Sequence, residues 1–158
     1  MARFGTPLPD GTTVVDDDLF TPTITAETYR RRRAPWRPQS LLVPAVFGGP
    51  ATVTVLALVN AGRLGADRSA RLAVAGAGVA AVAVRLVLTS LFATDRPVLL
   101  VGALAGAAVG VVATRTQARP FRLAELRGDE PASLWWPGLA AVVLIGSVET
   151  LLLILVLG

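Results

Sequence analysis

Apolar residues gather into four blocks separated by polar stretches, at residues 41–61, 70–93, 97–114 and 134–157. Each is close to the roughly 20 residues that a helix needs to cross a bilayer, the third being the shortest. The pattern predicts an all-α integral membrane protein with three or four transmembrane helices over residues 41–158. Residues 1–40 are polar instead. Prolines at 7, 9, 22, 35 and 38 and an acidic patch at Asp16, Asp17 and Asp18 predict a mostly disordered tail. No secretory signal is expected, because the first apolar run begins only near Leu41.

The first block is interrupted. Gly48, Gly49 and Pro50 stand in the middle of "SLLVPAVFGGPATVTVLALVNAG". Two readings follow. A transmembrane helix tolerates Gly and Pro, so 41–61 can span with a kink. Alternatively, two glycines permit a sharp reversal and Pro50 starts a new helix, so 41–61 is a re-entrant hairpin.

The arginines weigh on this choice, because basic residues collect on the cytoplasmic side. With four spans and the N-terminus inside, the inner side holds Arg30, Arg31, Arg32, Arg33, Arg37 and Arg96. The outer side holds Arg63, Arg68, Arg71, Arg115, Arg119, Arg122 and Arg127, so there is no bias. If 41–61 does not cross, all of these except Arg96 lie inside, twelve against one. The tail arginines at 30–33 and 37, with Trp36 among them, predict a topology anchor at the headgroup level. An anionic-lipid or nucleic-acid patch is the sharper alternative. Trp135 and Trp136 are expected at the interface where the last block starts.

Within "FGGPATVTVLALVNAGRLG", Phe47, Gly48, Gly49, Pro50, Asn60, Arg63, Leu64 and Gly65 resemble a motif in small bacterial membrane proteins of uncharacterised function. There a Phe-Gly-Gly-Pro-Leu-Ala run precedes an Asn, a basic residue and Leu-Gly. Thr52 departs from the small or apolar residues usual after the Pro-Xaa step. The resemblance covers this stretch alone and implies no reaction. It implies that the Gly-Gly-Pro element is structural.

Two ionisable residues interrupt the apolar blocks, Arg85 and Glu149. Charges in lipid are costly and find a partner or water. Blocks two and four run in the same direction under either topology. Arg85 stands eight residues before Ala93 and Glu149 eight before Leu157, so the two lie at similar depth. An intramembrane Arg85–Glu149 ion pair is expected, with Thr89, Ser90, Ser147 and Thr150 near enough along the helices to add hydrogen bonds. A packing lock is the plainer role for the pair, and a polar path or proton relay the functional one. Gly102, Gly106 and Gly110 form a small-residue face that permits close helix packing, expected against an alanine stripe at 73, 77 and 81 or against a second copy of the chain. Residues 115–133 are expected to be a loop, carrying one short amphipathic surface helix ended by Gly128.

Composition narrows the function classes. The chain has 158 residues, 53% hydrophobic and 16% charged, with mean hydropathy +0.62 and net charge +4. A soluble domain carries about 25% charged residues. All 15 basic residues are Arg, read as a codon bias of a GC-rich bacterium. With no His and no Cys, the commonest general base, thiolate chemistry and the usual transition-metal ligands are missing. No catalytic residue, metal or cofactor is expected, and no nucleic-acid partner. The expected partners are the lipid bilayer and a homo-oligomer or larger membrane complex. The expected place is the bacterial inner membrane with the N-terminus cytoplasmic. The expected role is a structural or accessory subunit, with a small transporter or channel as the alternative, in which Arg85 and Glu149 lie on a polar path.

Overall fold

A computed structural model describes residues 33–91 and 95–157. The expected disorder of the tail, and Arg30, Arg31 and Arg32 with it, lie outside the described residues. Four helices follow one another: α1 (Leu42–Leu64), α2 (Arg68–Leu91), α3 (Asp95–Leu126) and α4 (Trp135–Leu157), with a 3-10 turn at Pro38–Leu41 leading into α1. The protein is an all-α integral membrane protein, and all four helical segments are long and apolar enough to cross a bilayer.

The first of them does not run straight. At about 1.5 Å per residue, 23 helical residues would separate its ends by about 35 Å. Yet the Trp36 N–H donates to Asn60 Oδ1 at 2.7 Å, and the Arg63 guanidinium donates to the Ala34 carbonyl at 3.1 Å. The five residues between Trp36 and the start of α1 are too few to bridge such a gap. The chain therefore doubles back inside α1. Contacts along α3 show the same reversal. Gly106 lies against Ala45 and Gly49, Gly110 against Leu42, and the Thr114 hydroxyl against the Pro38 carbonyl, so the first arm ascends α3 as its residue numbers fall. Gln117, one turn further up α3, then reaches Ala57 and Asn60 on the second arm. Of the two readings of 41–61, the hairpin is the one observed.

The turn is made by one residue. Gly49 has φ 78° and ψ −178°, a region open essentially to glycine alone. Pro50 follows as the first residue of the second arm, where its missing N–H costs nothing. The second arm ends at Gly65, left-handed at φ 64°, with the Ala66 N–H returning to the Ala61 carbonyl. Asp67 then caps α2 through the Ala70 N–H.

The hairpin sits in the middle of the bundle and packs against α2, α3 and α4. Its approach to each is close because small residues face it. A Cβ on Gly106 would overlap the Ala45 carbonyl, one on Gly78 of α2 would overlap Thr54, and one on Gly146 of α4 would lie 3.4 Å from the Gly48 carbonyl. Leu41, Ala45, Val53, Leu56, Ala57, Val74, Val109 and Ala113 close the core around it. Helix α4 packs on the hairpin and hardly touches α2 or α3.

Two expectations change. The glycine face of α3 was expected on the alanine stripe at 73, 77 and 81. Gly106 and Gly110 pack instead on the first hairpin arm, and Ala73 is exposed. The buried residues of α2 are Val74, Gly78 and Arg85. Residues 115–126 are not a loop. They continue α3 through Pro120 to Leu126, because Gln117, Phe121 and Ala124 bury themselves against the second arm of α1. Gly128, at φ 83°, ends that longer helix.

Candidate functional site

The tip of the hairpin lies beside the two charges that the sequence singled out. Arg85 is one face of α2 and Glu149 one face of α4, and both are buried, with 8% and 7% of their surface exposed. The Arg85 Nη1 group donates to Glu149 Oε1. The second carboxylate oxygen, Oε2, accepts the Ala51 N–H at 3.1 Å. That N–H belongs to the first turn of the arm that begins at Pro50, so it has no partner within its own helix. Glu149 thus does two things at once: it neutralises Arg85 and caps the positive end of a half-helix.

Gly49 and Gly102 make room for the guanidinium. A Cβ on Gly49 would meet Arg85 Nη1 at 2.6 Å, and one on Gly102 would meet Cζ, Nε and Nη2 at 3.0–3.1 Å. The Thr52 hydroxyl ties the tip by donating to the Gly48 carbonyl across the turn at 2.6 Å. The four polar neighbours expected around the pair do not bond to it. Ser90 and Thr150 donate to the carbonyls of Val87 and Gly146 on their own helices, the Thr89 hydroxyl has no partner, and Ser147 stands at the edge of a cleft.

That cleft, about 490 Å³, lies beyond the tip between α3 and α4. Its walls are Arg85, Gly49, Phe47, Leu99, Ala103, Val142, Ser147 and Leu151 among others. It exists because the hairpin is shorter than its neighbours: the first arm separates α3 from α4, and past Gly49 nothing among the described residues fills the space. A second groove of about 800 Å³ runs between the first arm and the start of α4, apolar along Val43, Phe47 and Leu139, with Arg37 and Ser40 at its rim.

The mouth of the hairpin has its own polar cluster, which sequence reasoning missed. The Asn60 side chain accepts from the Trp36 N–H and donates to the Trp36 carbonyl and to Gln117 Oε1. Gln117 donates to the Ala57 carbonyl. Both amides are fully buried. The signal was present: an Asn inside "LALVNAG" needs partners in an apolar setting. Gln117 was hidden by its place in an expected loop. Trp36, expected as a headgroup anchor, is only 3% exposed, closing the core beneath Arg63, whose guanidinium carbon lies 3.9 Å from the ring centre. Trp135 and Trp136 are exposed, as are Arg33 and Arg37.

Among the described residues no cluster of three or more metal-ligating side chains occurs. The chain matches no family model, and no curated protein or solved structure matches it.

Proposed function

We propose that the chain is a structural or accessory subunit of the bacterial inner membrane, without enzymatic activity. One observation carries this reading: the charged pair inside the bundle is spent on holding the hairpin, since Glu149 bonds both Arg85 and the first free N–H of the second arm. Groups arranged for chemistry are normally left poised toward a substrate, whereas Glu149 has both carboxylate oxygens turned toward the fold. Helix α4 supports the same reading. Apart from its contact with the hairpin it is exposed along most of its length, from Leu139 through Val148 to Val156, leaving a long apolar surface for lipid or for another subunit. The resemblance of the Phe47–Gly65 motif belongs here too, since its glycines, Asn60, Arg63 and Gly65 all build or close the hairpin.

The reversal also supports an orientation. With 41–61 folded back, Arg33, Arg37, Arg63, Arg68, Arg71, Arg119, Arg122 and Arg127 gather at the mouth end of the hairpin, which supports a cytoplasmic mouth. Purification in mild detergent tests the role: a stoichiometric partner that stays bound is the expected result, and a chain recovered alone, or only with itself, counts against it. A second reading, a small transporter, is favoured by the cleft beside Arg85. Solute or ion flux in liposomes reconstituted with the purified chain is the result that would select it.

A further inference from the structure

We propose that the cleft under the hairpin tip is a binding site for one oxyanion, a carboxylate or a phosphate, held by the unused edge of Arg85. This goes beyond the accessory role and does not depend on it.

A guanidinium offers five N–H donors, and its side edge, Nε with Nη2, matches the two oxygens of a carboxylate or phosphate. Glu149 does not use that edge. It bonds Nη1 alone, because its other oxygen is committed to the Ala51 N–H. Nε has no partner, and the Arg85 side chain is only 9% exposed. An unmet donor on a buried, charged side chain is costly. Arg85 forms part of the cleft wall, and Ser147, exposed on α4, lines the same cleft. Gly102 carries no Cβ that would press on the guanidinium.

The donor chemistry selects an anion. The Arg85 and Glu149 charges cancel, and at the tip the positive end of the second arm faces the negative end of the first. What remains unmet is an N–H donor of a guanidinium, which suits an oxyanion and offers nothing to a cation. The volume, about 490 Å³, is that of a small-molecule site, and the walls mix apolar side chains such as Leu99, Val142 and Leu151 with Ser147 and Thr150. Free phosphate entering from water and the headgroup of an anionic lipid entering between α3 and α4 share this chemistry.

Binding to the full-length chain in non-ionic detergent separates the two sources. The probes are inorganic phosphate, dioctanoyl phosphatidate and, without an oxyanion, dioctanoylglycerol. One equivalent of phosphate or phosphatidate is expected to bind, and dioctanoylglycerol is not. Phosphate binding identifies an aqueous entry, and binding of phosphatidate alone identifies a lateral one. Two variants localise the site. Arg85→Lys keeps the positive charge beside Glu149 but loses the edge, and weakens binding by about tenfold or more. Ala103→Phe fills the cleft without altering the pair, and abolishes binding while the melting temperature is retained. The proposal fails if neither anion binds, if dioctanoylglycerol binds as well as phosphatidate, or if binding survives unchanged in folded Ala103→Phe.

Discussion

Single residues decide the turn. Gly49 occupies a backbone region that costs a side-chain-bearing residue about 1–3 kcal/mol, and a Cβ there also collides with Arg85. Gly49→Ala is expected to destabilise the protein by at least that amount, while Gly62→Ala, in a helical site with open space around it, is neutral or stabilises by up to about 1 kcal/mol. Unfolding in mixed micelles compares the two directly. Breaking a buried ion pair by removing one partner costs about 3–5 kcal/mol, more than removing both. Arg85→Leu and Glu149→Gln should each be costly, and the double variant should cost clearly less than the two added together. An additive result would mean that the pair contributes nothing as a pair. The pair was legible in the sequence because charge in an apolar block is rare and depth can be counted. Its link to Ala51 was not, since nothing in "VET" at 148–150 points to a backbone N–H 98 residues away.

At the scale of elements, the hairpin is closed at both ends by polar groups. Asn60 bonds both the N–H and the carbonyl of Trp36, so Asn60→Leu strands those two groups and Gln117 Oε1 in a dry place. Each stranded group costs about 1–3 kcal/mol. The expected sign is faster amide exchange at Trp36 and the residues leading into α1, with the ion pair at the tip intact. Equal exchange in variant and parent would show that Asn60 is not a latch. Between α1 and α2 the Ser69 hydroxyl, the largest influence, holds the Asp67 carboxyl below its usual value. The cap is therefore complete at neutral pH, and its contribution is lost as pH falls through the acid range of that carboxyl. Protection of the Ala70 amide, its exchange rate set against the free-chain rate at the same pH, should fall only on acidification, and Asp67→Ala should remove that pH dependence. The extension of α3 to Leu126 escaped the sequence because Arg115, Arg119 and Arg122 mark the end of apolar character. They do not mark the end of the helix, which continues because one face is buried on the second hairpin arm.

For the whole molecule the reversal fixes which ends meet. Gln39 and Ser69 are exposed on either side of α1. A straight span would put them on opposite membrane faces, and the hairpin puts them on the same one. The chain has no Cys, so Gln39→Cys and Ser69→Cys can be labelled with an impermeant thiol reagent without background. In intact cells both are expected to stay unlabelled and both to react after lysis. Labelling of one and not the other would show that α1 spans.

The sequence by itself determined the class of protein, the four apolar blocks, the position of a break at Gly48-Gly49-Pro50 and the depth-matching of Arg85 with Glu149. These depend on local composition and on the constant rise of a helix, both of which can be read along one chain. It left the break undecided between a kink and a reversal, because Gly and Pro permit both. Only the tertiary structure chose. The reversal holds because a buried core, a carboxylate from α4 and an amide latch at the mouth each reward the folded-back chain. Those groups come from segments far apart in the sequence, and their meeting depends on packing that no single segment encodes.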